Sequence, residues 1–131
     1  MSGVVNCTPH SVAVYGPDAV DADGCLVAGA TLIASYPPSG HIARLQTSDL
    51  GPADAIDSVP VRRQELGRLV GLPKPVPGVW YIVSLACAGE AVAAGHARIL
   101  VPGGQVRARG ADGRPGAVVG ATYWITPVDA E

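Results

Sequence analysis

With 131 residues, 48% of them apolar and 15% charged, the chain suits a single domain over residues 1–131 and is too apolar to stay disordered. Its net charge of −2 comes without a clustered basic face, so no nucleic-acid partner is expected. No apolar stretch approaches the roughly 20 residues of a membrane helix, and the first residues lack a charged segment followed by an apolar run, so neither a membrane nor a secretory route is expected.

Glycine and proline cut the chain into short pieces, which predicts a mainly β domain (β-rich α+β) of short antiparallel strands in a small barrel or sandwich. Residues 4–6 and 12–15 read as a first pair of strands around Thr8-Pro9-His10. Asp21-Ala22-Asp23-Gly24 reads as a turn, with aspartate acceptors and a glycine that tolerates positive φ. Residues 31–36 are rich in strand formers, and Pro37-Pro38-Ser39-Gly40 then forces a reversal because proline donates nothing to a ladder. Residues 42–47 alternate as a strand, 50–57 read as a loop, and 58–63 and 66–70 as two further strands.

The tract Gly71-Leu72-Pro73-Lys74-Pro75-Val76-Pro77-Gly78 reads as a stiff, extended lead-in. The run Val79-Trp80-Tyr81-Ile82-Val83-Ser84 is almost continuously apolar, which predicts a central strand covered on both faces. A single helix is expected over residues 85–94, capped by Ser84 and stopped by Gly95. Glu90 is its only charge, so most of its circumference is expected to be buried. Strands at 99–101, 105–108 and 118–125 follow, with a turn at Asp112-Gly113. The absence of Phe gives Trp80 and Trp124 an expected prominence in the core.

Cys7, Cys25 and Cys87 are odd in number and lack C-x-x-C spacing, which predicts buried, reduced thiols and a cytoplasmic setting. His10, His41 and His96 lie far apart and read as unrelated surface or loop histidines, so no metal site is expected. Twelve residues from Asp21 stands Leu32 where a calcium loop needs glutamate. The glycines form neither dinucleotide fingerprint nor phosphate loop, so no cofactor is expected.

Asn6-Cys7-Thr8-Pro9-His10 is the densest polar cluster. It reads either as turn chemistry or as a loop that presents His10 to a ligand. Eight of the nine basic residues are Arg, which suits a GC-rich genome and also the fork geometry that grips planar anions. Arg44 and Arg62 sit in predicted strands, where a partly desolvated guanidinium needs a carboxylate, a carbonyl or an anionic ligand. Local acids, among them Asp49, Asp54, Asp57 and Glu65, supply structural partners.

Taken in order, Asn6-x-Thr8-Pro9-His10, Pro37-Pro38-Ser39-Gly40-x-x-Ala43-Arg44, Gly71-Leu72-Pro73-x-Pro75-x-Pro77-Gly78-x-x-Tyr81-Ile82-Val83-Ser84 and Leu100-Val101-Pro102-Gly103 make the chain resemble a family of small proteins of tailed phages and actinobacteria. That resemblance implies a mobile-element context and, for a phage product, the host cytoplasm; it carries no activity or catalytic residue. The chain departs from the family in residues 16–29, which run longer, and in residues 86–97, which are richer in Ala.

The expectation is therefore a non-catalytic binding module with no catalytic residue assigned. Its ligand would be a small anion, a nucleotide among the options, or a host protein. Thr8, His10, Ser39, Arg44 and Arg62 form the candidate contact surface, with the 8–10 turn and an expected 37–44 hairpin together at one end of the β-structure. The alternatives are a self-associating virion or assembly protein, hence a homo-oligomer, and an enzyme that uses His10.

Overall fold

The computed structural model describes residues 3–127. The chain is mainly β with one helix: β1 (Gly3–Asn6), β2 (Val12–Tyr15), β3 (Leu32–Tyr36), β4 (Arg44–Ile56), β5 (Val59–Val70), β6 (Val79–Ile82), α1 (Leu85–Ala93), β7 (Ile99–Gly103), β8 (Val106–Arg109), β9 (Pro115–Gly120) and β10 (Tyr123–Ile125).

A four-stranded sheet in the order β1-β6-β7-β10 forms the centre, and three two-stranded ribbons, β2-β3, β4-β5 and β8-β9, surround it. The sheets do not close into a barrel. The expectation of antiparallel strands throughout needs correction at the centre: β1, β6 and β7 run parallel, and only β10 opposes β7. The reason lies in α1, which carries the chain from the end of β6 back to the start of β7 as a crossover. Nor do β1 and β2 pair; β1 joins β6 and β2 joins β3.

The apolar run after Gly78 supplies the middle of this sheet. Tyr81, Ile82 and Val83 are all buried, with alternate residues facing opposite sides. On one side Tyr81, Val83, Ile99 and Val101 meet Cys87, Ala88 and Ala91 of α1, joined by Cys7 and Ala43. Small residues on α1 let it sit close to the sheet, and the rest of its surface stays in solvent; Leu85 is 72% exposed, contrary to the expected burial of most of the helix. The helix ends as the sequence requires. Gly95 adopts φ 102°, its N–H reaches the Val92 carbonyl and the His96 N–H reaches Ala91. Ser84 stands at the N-cap, although its side chain makes no capping bond.

Neither tryptophan is fully buried. Trp80 lies half-buried under the Arg98 guanidinium, 5.6 Å from its ring centre, and half-buried Trp124 packs against Tyr36. The largest fully buried side chains are Ile82, Ile99, Val83 and Val106; of these, Val83 and Ile99 belong to the cluster packed against the helix.

The largest departure from the sequence reading is the β4-β5 hairpin. The expected loop at 50–57 is strand as far as Ile56, and the two short strands at 58–63 and 66–70 merge into one. Asp57 and Ser58, with φ 50° and 65°, make a two-residue turn in which both residues are left-handed, the twist that suits a hairpin. Register shifts at Leu45/Thr47, Asp49/Gly51 and Ala53/Ile56 absorb the residues that do not fit regular pairing, and Gly51 at φ 95° admits Pro52 to the strand. The predicted strand at 118–125 is likewise interrupted at Ala121-Thr122, separating β9 from β10.

Candidate functional site

Asn6 organises the polar end of the molecule. It closes β1 and is buried, so its amide has to find partners within the protein. It finds four. Thr8 donates to Oδ1 from its N–H at 2.9 Å and from its hydroxyl at 2.6 Å, while Nδ2 donates to the carbonyls of His10 and Tyr36, each at 2.8 Å. The Thr8 hydroxyl also lies 2.9 Å from the His10 carbonyl. The Asn6 carbonyl in turn accepts from the Ser39 N–H at 3.0 Å and the Ser39 hydroxyl at 2.7 Å. One residue on, the Cys7 carbonyl accepts from the Ala43 N–H at 2.9 Å.

The 8–10 turn is thus bound to Asn6 at the end of β1, and the 37–44 segment to Asn6 and Cys7. The second segment is no hairpin, since β3 pairs with β2 and β4 with β5; it passes the end of β1 as a connection between two ribbons. The cluster lies beyond the carboxyl ends of parallel β1 and β6, where open parallel sheets offer loops for binding.

What these groups can still do chemically is narrower than their types suggest. The Thr8 and Ser39 hydroxyls are committed to the loop framework. Arg62 pairs with Asp49 across the hairpin, and its guanidinium, followed by the Gly51 N–H, holds the Asp49 carboxyl below the usual carboxylate range. His10 and Arg44 are exposed, and among the described residues no carboxylate stands within ion-pair distance of Arg44. Of the five residues chosen from sequence, then, only these two keep free polar heads.

A nucleophile–base pair of Cys7 and His10 finds little support. Cys7 is fully buried, and burial pushes its thiol up, with the Ser39 hydroxyl acting in the opposite direction. All three cysteines are free and buried. Among the described residues no three His, Cys, Asp or Glu side chains gather where they could hold a metal ion, and no helix is long and apolar enough to cross a membrane.

Two features escaped the sequence. His96, expected at the surface or in a loop, lies in the loop between α1 and β7 but is buried: its Nε2 lies 2.8 Å from the Pro73 carbonyl and its ring meets Tyr81 edge-on at 5.3 Å. Since a carbonyl only accepts, Nε2 carries the proton, and buried Nδ1 has no partner among the described residues. The proline tract that anchors it is pinned as well, by the Tyr81 hydroxyl, which donates to the Lys74 carbonyl and accepts from the Val76 N–H. Proximity of a glycine-stopped helix to a proline tract is a tertiary fact with no local signal.

The second feature is the extent of bare apolar surface. Leu45 and Leu69, paired at the base of the β4-β5 hairpin, pack against the core. Beyond them, between Gln46 and Arg68, the side chains described are exposed apart from half-buried Val61. Ile56 and Val59 face each other at the tip, 65% and 60% exposed. Elsewhere Ile33 and Leu32 on β3, and Val118 and Val119 on β9, also meet solvent. A groove of about 440 Å³ runs beside His10 between β2 and β9.

No protein-family model matches the chain, and comparisons with curated proteins and with solved structures likewise give no match.

Proposed function

We propose that this chain is a non-catalytic assembly module that works by self-association through its projecting hairpin and exposed strands. The observation that carries the proposal is its surface. At 13.2 kDa the chain exposes 8608 Å². A compact monomer of that mass exposes about 6,400 Å², so the excess is roughly 2,200 Å². Obligate interfaces bury roughly 1,000–2,500 Å² on each partner, the same order as this excess per chain.

The hairpin adds a physical reason. A lone two-stranded ribbon is marginally stable in water, because most of its apolar side chains find nothing to pack against. Here thirteen- and twelve-residue strands project with only their base on the core. A second copy supplies the missing cover. Charge is compatible with this: beyond the base, β4 carries Asp49 and Asp54, while β5 carries Arg62, Arg63 and Arg68 with Glu65 as its one acid. The small-anion reading loses support, because Arg62, Thr8 and Ser39 are committed within the fold.

Native mass spectrometry with light scattering tests the proposal. The intact protein is expected as a discrete oligomer. A variant with residues 49–64 replaced by Asn-Gly, which keeps the Ser48–Glu65 pair next to a two-residue turn, is expected to be a folded monomer. An intact protein that stays monomeric at tens of micromolar, or a shortened variant that assembles as well as the intact one, refutes it.

A further inference from the structure

We infer that the contact is heterologous: the hairpin tip of one copy docks into the groove between β2 and β9 of the next. This rests on the assembly proposal above and specifies its geometry. The tip offers Ile56 and Val59, cross-strand partners at the outermost pair and more than half exposed. The groove, about 440 Å³, is walled chiefly by Val12, Pro102, Val118 and Val119, with His10 at its edge. That size lies within the range of sites that enclose a ligand and takes two branched aliphatic side chains.

The groove lacks cover of its own. In a strand with one buried face, neighbours alternate between core and solvent. Val118 and Val119 are consecutive on β9, and both are exposed, at 48% and 38%. Their ribbon partner β8 leaves both valines in water, and none of the residues that line the groove comes from the hairpin of the same chain.

Charge selects this pairing over tip against tip. Asp54 and Asp57 flank the apolar tip, and no basic residue occurs between Gly51 and Val61. Two tips together would oppose like charges. The groove is lined by no acidic residue and has His10 at its edge, so it accepts the acidic tip without that cost. Each copy has one tip and one groove. Such a contact builds a ring when its rotation closes and a filament when it does not.

Complementation distinguishes this contact from other modes of assembly. The tip variant is Ile56→Asp with Val59→Asp, and the groove variant is Val118→Asp with Val119→Asp. All four side chains are exposed, so both proteins are expected to keep the wild-type circular dichroism spectrum. Each variant alone is expected to run as a monomer in native mass spectrometry. Mixed, they are expected to form a capped pair of twice the chain mass, since one keeps its groove and the other its tip.

Ile56→Cys together with Val118→Cys provides the second readout. Oxidation is expected to give covalent ladders between copies, while the three native thiols, being buried, stay out of the reaction. If the wild-type protein assembles but the mixture stays monomeric, or if either charged variant assembles alone, the docking geometry is wrong and the assembly proposal survives. If the wild-type protein is itself monomeric, both fail.

Discussion

Replacing Asn6 with Ala removes the single side chain that ties the 8–10 turn to the end of β3. Four hydrogen bonds go with it, to Thr8 N–H, Thr8 Oγ1, His10 carbonyl and Tyr36 carbonyl. At a net worth of about 1 kcal/mol each, the simple sum is about 4 kcal/mol. Released from Asn6, the single Thr8 hydroxyl proton turns to the His10 carbonyl 2.9 Å away, so that acceptor stays satisfied and the expected loss falls to about 3 kcal/mol. For a chain of this length that corresponds to a thermal midpoint lower by about 10 °C. Asn6→Asp is expected to lose more at neutral pH, because it sets a buried carboxylate oxygen against two carbonyls where the amide donated. Thr8→Val, which spares the amide's contacts to His10 and Tyr36, is expected to lose less than either. The assay is calorimetry or circular dichroism on the three variants. A midpoint for Asn6→Ala within about 3 °C of wild type, or the reverse order of Ala and Asp, refutes the view that this amide holds the loops.

Gly71→Ala is expected to prevent normal folding, since the position has φ 87° and an added Cβ would collide with the Ile42 carbonyl; a soluble variant with an unchanged melt refutes this. A thiol reagent is expected to titrate no cysteine in the native protein and three after denaturation without reductant, because Cys7, Cys25 and Cys87 are free and buried; one free thiol in the denatured sample would reveal a disulfide. Acid stability follows from two surface carboxyls held below the ordinary carboxylate range, Asp21 chiefly by the Cys25 N–H and then Arg109, Asp49 chiefly by Arg62. Their folded pKa values are lowered, so their contribution is present at neutral pH and is lost as pH falls below about 4 and through those values. Arg109→Gln and Arg62→Gln are therefore expected to melt below wild type at neutral pH and to converge with it in strong acid; an offset that stays constant with pH contradicts this.

Much of the fold was legible locally. The central strand was visible in Val79-Trp80-Tyr81-Ile82-Val83, because five adjacent strand-forming positions after a glycine have no stable use except in a sheet. The helix stop at Gly95 and the turns at Asp21-Gly24 and Asp112-Gly113 were visible because backbone sterics at glycine and local acceptors on aspartate act over a few residues. The clustering of the 8–10 turn with the 37–44 segment was also anticipated, and their chemistry was half read. Asn6 and Thr8 have hydrogen-bonding capacity that a turn can consume, but which carbonyls they meet depends on a residue thirty positions away.

Strand direction and strand length were decided elsewhere. Nothing near Val4 signals that it lies parallel to Trp80, since that neighbour arrives only after two ribbons have been laid down between them. The hairpin beyond Leu50 contains Gly51, Pro52 and Asp54, each a poor strand former, and it is strand because its partner supplies the pairing and the bulges absorb the misfits. Burial of His96 and exposure of Ile56 follow from how separate segments stack. Composition fixed how much apolar area this chain carries; only the tertiary arrangement decided that the core of sheet and helix takes part of it and leaves the hairpin tip and the β9 valines in water.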